Sequence, residues 1–285
     1  MIRKVFIVLF LLLIIKGNCI CNLLLNDMQE GAESLSLGGN WVYPTNNGVI
    51  NSPGVVRISV AADTQKTMDD YAGRVRLSYP LSSSFAVGYS FLYRQINIER
   101  WDENNVNLGY ANYPAVKNTI AAGLRLSEVG ETEWMPYLAI ALNYYIQKSV
   151  VDAFTLDMSF ASTKESKGTG IYINNISNKD VPIDFMLSNR FNNTYAGLGF
   201  FNKFFYLSIG QSVTVKDGFK INAGARYSPK AYHFDFNIGS FIELNAFNLS
   251  FNVSLFAPVT EVITFTTEYR IGSIGEVKKE ENTTW

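Results

Sequence analysis

The chain has 285 residues, of which 17% are charged and 14% aromatic, whereas soluble domains carry about 25% charged residues. Its net charge of −1 gives no electrostatic basis for nucleic-acid binding. Its mean hydropathy of +0.04, without a second long apolar run after the N-terminus, excludes a bundle of membrane helices.

Residues 1–21 have the order of a secretory signal peptide. Arg3 and Lys4 precede an uninterrupted apolar run at 5–15, which is too short to span a bilayer comfortably. A membrane anchor is the alternative, and a lipid-modified cysteine at Cys19 or Cys21 is a further one. Because these are the only two cysteines, the exported body has neither a disulfide framework nor a cysteine metal site.

From residue 55 onward the chain is a succession of period-two patterns, which predict extended strands with one apolar and one polar face. The clearest is YHFDFNIGSFIELNAFNLSFNVSLF at 232–256, where aromatic and aliphatic residues alternate with Asn, Asp and Ser. Two strands are predicted there, and the other candidates are 55–62, 74–81, 85–98, 119–126, 136–147, 153–160, 168–176, 195–201, 204–215, 219–228 and 262–272, with 106–112 and 183–188 less regular. This total of about 12 to 15 predicts an all-β fold.

Strand length indicates what surrounds the apolar faces. The patterns at 85–98 and 136–147 exceed the 5–6 residues typical of globular strands and reach the 9–11 of a tilted membrane strand. Aromatic residues near strand ends, such as Trp134, Tyr137 and Tyr227, are typical of the girdles at membrane interfaces. We predict an antiparallel transmembrane β-barrel of about 14 strands, with a soluble or periplasmic β-protein as the alternative.

The phase of the alternation predicts which charged residues face the lumen. With the odd positions of 74–81 and 219–227 facing lipid, Arg74, Arg76, Lys220 and Arg226 face inward, because a cation at mid-bilayer costs about 2–4 kcal/mol. Arg94 has no assignable side. Two aromatic residues, Phe241 and Phe256, interrupt the polar phase of their strands. These six inward residues are the predicted ligand contacts of the lumen.

The chain divides into the signal peptide, an N-terminal segment at 22–54, the barrel at 55–272 and a charged flexible tail at 273–285. The N-terminal segment does not alternate and combines a short glycine-terminated helix pattern with turn signals. Between strands, polar connectors at 101–105, 127–134 and 162–168 predict longer loops. Short turns at one side and longer loops at the other are typical of outer-membrane barrels.

Four stretches resemble the PorV/UPF0164 group of outer-membrane proteins, which are relatives of FadL-type transporters. They are GAESLSLGGNWVY (31–43), NSPGV (51–55) and the patterns at 153–178 and 251–272. The positions that carry the N-terminal likeness are Gly31, Leu37, Gly38, Gly39, Asn51, Pro53 and Gly54. The resemblance implies that this segment plugs or lines the lumen near the periplasmic side. Asn40 after the two glycines and the tail after the last strand depart from the group's pattern.

The sequence predicts no catalytic, metal or cofactor site. His233, the single histidine, and Asp235 lie on one face of a strand, without the nearby nucleophile or paired acids that catalysis needs. Asp69-Asp70 and Asp102-Glu103 lack the organised oxygen ligands of a calcium loop, and no nucleotide or zinc motif is present.

We therefore predict a monomeric outer-membrane barrel of a diderm bacterium, in contact with outer-membrane lipid, that handles or passes a small hydrophobic ligand without bond chemistry. One alternative is a PorV-like surface docking or shuttle protein for secreted partners. Another is a narrow diffusion porin, although about 14 strands and a plug leave little open channel.

Overall fold

The chain forms a single antiparallel sheet in the computed structural model. The structure describes residues 54–63, 71–82, 84–101, 107–126, 135–147, 151–164, 166–176, 183–201, 204–229, 233–245, 247–257 and 260–271. Their strands are β1 (Gly54–Asp63), β2 (Tyr71–Pro80), β3 (Phe85–Trp101), β4 (Asn107–Arg125), β5 (Met135–Gln147), β6 (Val151–Lys164), β7 (Lys167–Ile176), β8 (Asp184–Phe191), β9 (Thr194–Phe201), β10 (Phe204–Lys216), β11 (Phe219–Ser228), β12 (His233–Leu244), β13 (Phe247–Ala257) and β14 (Thr260–Ile271).

The sheet closes on itself as a barrel of 14 strands, which confirms the predicted fold class. Each strand pairs antiparallel with its chain neighbours, and the first strand pairs with the last from Gly54↔Ile271 to Asp63↔Val262. Pairing of the first strand with the last removes the sheet edge that the two chain ends would otherwise leave, as a spanning sheet requires. Within the described residues, no helix is long and apolar enough to cross a bilayer.

The two faces of the sheet differ as the alternation predicts. On the outer face, large apolar side chains remain exposed all around the barrel, among them Ile120, Phe154, Ile209, Phe236 and Phe265. The inner face carries buried Arg, Lys, Asp, Asn, Ser and Thr side chains. This apolar-out, polar-in arrangement is the pattern of a transmembrane barrel.

The barrel wall is much taller on one side than on the other. β3 and β4 have 17 and 19 residues, whereas β8 and β9 have 8 each. The last pair of β3 with β2 is Tyr71↔Gln95, and the last pair of β4 with β5 is Ala115↔Gln147. Above these pairs, β3 and β4 pair only with each other among the described residues. We call the end where β1 begins and β14 ends the terminal end; the β3–β4 hairpin rises at the opposite end.

Several connections at the terminal end are tight turns. Asn192 and Asn245 adopt positive φ of 55° and 44°, and Gly218 has φ 76°, the conformations that two-residue hairpin loops demand. The β6–β7 connection also differs from the predicted loop at 162–168, because β6 extends to Lys164 and β7 begins at Lys167. Charged side chains made this segment look like a loop, although strand ends at the membrane surface accommodate them.

Other expectations have mixed outcomes. The less regular patterns at 106–112 and 183–188 lie in or overlap β4 and β8, and Gly54 begins β1. Tyr137 was wrongly assigned to an interfacial girdle, because the odd positions of β5 face inward and its side chain is 8% exposed. Residues 1–53 and 272–285, which include the predicted signal peptide and tail and nearly all of the N-terminal segment, lie outside the described residues.

Candidate lumen site

A group of buried cations, which we call the basic wall, lines the lumen on β2, β3 and β4. Arg74, Arg76, Arg94 and Lys117 are exposed by 6%, 5%, 0% and 8%. The predicted inward orientation of Arg74 and Arg76 is confirmed, and Arg94, which the sequence did not place, also faces inward. Strand pairing puts Arg74 beside Leu92 and Leu92 beside Lys117, so the four cations occupy three adjacent strands.

A buried network centred on Asp157 joins the basic wall to β6, β7 and β8. The Asp157 carboxylate accepts a hydrogen bond from the Asn175 backbone N–H at 2.8 Å and pairs with Lys117 Nζ at 3.4 Å. Asn175 has φ 61° and lies where the β6–β7 register shifts. The carboxylate therefore satisfies a backbone donor that the bulge removes from the ladder.

Side-chain amides extend this network around the barrel. Asn143 accepts from Thr119 Oγ1 at 2.7 Å and donates to Thr155 Oγ1 at 3.2 Å. Asn175 donates to Asp184 Oδ2 at 3.4 Å. Hydrogen bonds thus connect five strands, from β4 to β8, which fixes the orientation of these inward side chains.

A second charged contact lies on β11 and β12. Arg226 donates from Nε and Nη2 to Asp235 Oδ2 at 2.9 and 2.6 Å, and its guanidinium lies 5.7 Å from the Tyr206 ring centroid. Both charged side chains are at most 5% exposed. The inward orientation predicted for Arg226 is confirmed. Asp235 is paired with this arginine, and the side chain of His233 lies outside the described residues.

The remaining predicted lumen residues are only partly placed. Lys220 and Phe241 face each other on β11 and β12, and Lys220 Nζ lies 5.4 Å from the Phe241 ring centroid. Phe241 follows the inward phase of Asp235 and Asn237, as predicted. Phe256 pairs with Asp235 in backbone register, but its side chain is outside the described residues. A ligand role for these residues remains a prediction.

Apart from Lys220, Arg226 and Asp235, the inner face of β11–β14 carries short uncharged polar side chains, which we call the neutral wall. Ser254 donates to Asn237 at 2.6 Å and accepts from Asn252 at 2.8 Å. Asn222 Nδ2 and Oδ1 and Thr264 Oγ1 are buried without a hydrogen-bond partner. The neutral wall therefore has hydrogen-bonding capacity that the described residues leave unused.

An apolar strip, which we call the aromatic shelf, interrupts the polar interior on β7–β10. Strand pairing aligns Tyr172 with Met186, Met186 with Gly199, and Gly199 with Tyr206. The three large side chains are 2–4% exposed, and Gly199, which has no side chain, lies between Met186 and Tyr206 in the strand order. The sequence interpretation missed this shelf. Tyr172, Met186 and Tyr206 all have even numbers, and the even positions of β7, β8 and β10 face inward.

The described residues provide no metal cage, since no three His, Cys, Asp or Glu side chains among them could jointly hold an ion. The acidic pairs Asp69-Asp70 and Asp102-Glu103 fall outside the described ranges. What the described lumen offers is cationic, neutral hydrogen-bonding and apolar surface in three separate places.

Comparisons with solved structures agree with the barrel fold. The toluene transporter TodX of Pseudomonas putida superposes with TM-score 0.58 at 10% identity, covering 84% of this chain and 97% of its own. A FadL homologue of Pseudomonas aeruginosa superposes with TM-score 0.51 at 7% identity, covering 78% and 91%. No family model matches the sequence, and no curated protein matches it. The fold is therefore shared with outer-membrane barrels at identities too low to transfer function.

Proposed function

We propose that the chain is an outer-membrane channel of a diderm bacterium that binds and passes small hydrophobic compounds without bond chemistry. The aromatic shelf is the observation that supports this proposal. It places Tyr172, Met186 and Tyr206 on an inner face that is otherwise mostly polar or small. Apolar pockets with a few polar groups are the usual form of small-molecule sites.

The neighbourhood of the shelf suits an aromatic compound. Tyr172 lies along β7 over Gly170, where an added Cβ would clash with the phenol ring, so its ring is held against the wall. Tyr206 has Arg226 near its ring. Gly199 contributes no side chain between Met186 and Tyr206, which is where we propose that a planar ligand binds. Because TodX is described as a toluene transporter, toluene is a suitable first probe.

The test is saturation-transfer NMR with toluene on the protein refolded in deuterated detergent, compared with Gly199→Leu. The added side chain would lie between Met186 and Tyr206 at the proposed site, so toluene should lose most of its transferred signal. Leu198→Ala changes the lipid-facing neighbour and should leave the signal intact. Heat-modifiable gel migration and circular dichroism establish that each variant is folded. Equal signals from wild type and a folded Gly199→Leu barrel would refute the proposed site.

The resemblance to the PorV/UPF0164 group supports a second candidate, a surface docking protein for secreted partners. The observation that favours it is the β3–β4 hairpin, whose upper arms have no other strand partner among the described residues, and unpaired strand edges are sites at which a partner strand can add. Deleting residues 97–111 should abolish copurification of a secreted partner without affecting toluene binding. Retained partner binding by the folded deletion variant would refute this candidate.

A further inference from the structure

One level of the neutral wall carries buried polar atoms without a partner on three strands. Strand pairing aligns Asn222 with Gly239, Gly239 with Asn252, and Asn252 with Thr264. We call these four residues the amide row. Asn222 is 1% exposed, and Asn252 and Thr264 are 0% exposed. Asn222 Nδ2 and Oδ1, Asn252 Oδ1 and Thr264 Oγ1 have no hydrogen-bond partner. Because buried polar groups are normally hydrogen-bonded, this cluster points to a bound molecule that supplies the missing bonds.

A neighbouring network fixes what the amide row presents. Asn252 Nδ2 donates to Ser254 Oγ at 2.8 Å, and Ser254 donates to Asn237 Oδ1 at 2.6 Å. Because Nδ2 of Asn252 is directed at Ser254, the unpartnered atom of this amide is the acceptor Oδ1. Thr264 adds a hydroxyl, and Asn222 adds both an amide donor and an amide acceptor. The row therefore combines donors with acceptors, which is what a ligand hydroxyl group uses.

The nearest charged side chains on β11 and β12 lie on other levels and have contacts of their own. Lys220, one level nearer the terminal end, has Nζ 5.4 Å from the Phe241 ring centroid. Arg226, two levels away on the other side, pairs with Asp235. A charged ligand group on the amide row would therefore meet no counter-ion among its four residues, and burying an unpaired charge is costly. The row favours an uncharged ligand.

The spacing of the amide row indicates the size of its ligand. Asn222 and Asn252 lie two strands apart, which is about 10 Å along the wall, and Gly239 between them contributes no side chain. One water molecule cannot bond to both amides, whereas a compound with several hydroxyl groups can. Phe241 follows Gly239 on the inner face of β12. Aromatic side chains beside a few polar groups are typical of small-molecule sites.

We propose that the amide row and Phe241 bind an uncharged sugar of at least two rings in the lumen. Asn222, Asn252 and Thr264 bond to its hydroxyl groups, and the Phe241 ring packs against its C–H face. This site lies on β11–β14, whereas the aromatic shelf lies on β7–β10. The barrel thus has a second ligand site of different chemistry, and this inference does not depend on the hydrophobic ligand of the proposed function.

Saturation-transfer NMR titrations with maltose, on the full mature chain refolded in deuterated detergent, test the proposal. Asn222→Leu keeps the approximate shape of the amide and breaks no side-chain hydrogen bond among the described residues. It should weaken maltose binding about tenfold, as expected for a lost hydrogen bond. The matched control Ser159→Ala removes another buried unpartnered hydroxyl, five strands from Asn222 in the barrel order, and should leave the Kd unchanged. Equal affinity in wild type and a folded Asn222→Leu barrel would overturn the proposal, as would an absence of maltose binding to wild type.

Three further titrations make the test specific. Thr264→Val removes the hydroxyl on another strand and should also weaken maltose binding, which covers the case that Asn222→Leu fails to fold. Digalacturonate, an acidic disaccharide, should bind at least tenfold more weakly than maltose, and a preference for it would refute the assignment of an uncharged ligand. Gly199→Leu, which tests the aromatic shelf, should bind maltose like wild type. Loss of maltose binding in that folded variant would show that the two ligands share one site and would refute a separate sugar site.

Discussion

The inner faces of β4–β8 and β11–β14 look alike in sequence but are built differently. Both alternate polar with apolar residues. On β4–β8, however, Asp157, Asn175 and Lys117 form a charged network around a bulge. On β11–β14, short neutral side chains such as Asn222 and Thr264 leave atoms without partners. The comparison teaches that one polar face can hold the wall together while another leaves its hydrogen-bonding capacity unused.

Removing the centre of the charged network should have the largest effect. Asp157→Ala leaves Lys117 buried without its carboxylate and the Asn175 N–H without its acceptor, so we expect a loss of about 3–5 kcal/mol in the free energy of unfolding. Urea unfolding in lipid vesicles measures it. Asp157→Asn, which keeps an acceptor oxygen, should lose less. Unchanged stability of Asp157→Ala would show that the network does not hold this wall together.

A similar loss is expected at the charged contact between Arg226 and Asp235, on the β11–β12 side of the comparison. Arg226→Leu leaves Asp235 buried and should cost about 3–5 kcal/mol, whereas Arg226→Leu with Asp235→Leu should cost much less, because no unpaired charge remains. The same unfolding measurement on both variants checks this. Equal losses in the single and double variants would show that the pair is unimportant and that packing dominates.

The outer face provides a reference for both walls. Ile209, near the middle of β10, is 58% exposed, and Ile209→Lys should destabilise the barrel in vesicles by about 2–4 kcal/mol. Ser212→Lys, on the inward face of the same strand, should cost less. If the two variants unfold alike in lipid, the assignment of inner and outer faces on β10 is wrong.

The smallest effect is expected on the neutral wall. Asn222→Ala breaks no side-chain hydrogen bond among the described residues and should change stability by less than about 1 kcal/mol. Asn143→Ala removes two bonds and should cost about 1–3 kcal/mol. Paired unfolding curves decide between them. A larger loss at Asn222 would mean that this amide has a partner that the wall itself does not provide.

Much of the candidate site could be predicted from the sequence because side-chain direction in a strand is a local property. Whether a residue has an odd or an even position in its strand decides on which face of the sheet its side chain lies. This rule placed Arg74, Arg76, Arg226 and Phe241 on the inner face. The same rule predicts that the side chains of the aromatic shelf face inward. The shelf was overlooked because Tyr172 and Tyr206 resemble ordinary strand aromatics. Tyr137 was predicted to lie in an aromatic girdle because it is near a strand end, and that prediction was wrong because its odd position faces inward.

The sequence by itself therefore determined the strand pattern, the fold class and the faces of most side chains, since alternation depends only on neighbouring residues. The tertiary structure decided which side chains meet. Asp157 accepts from Asn175 because a bulge shifts the β6–β7 register, and Arg226 meets Asp235 because β11 and β12 pair in one particular register. Closure between β1 and β14 joins the two ends of the wall. Register and closure depend on contacts between distant parts of the chain, which no local pattern specifies.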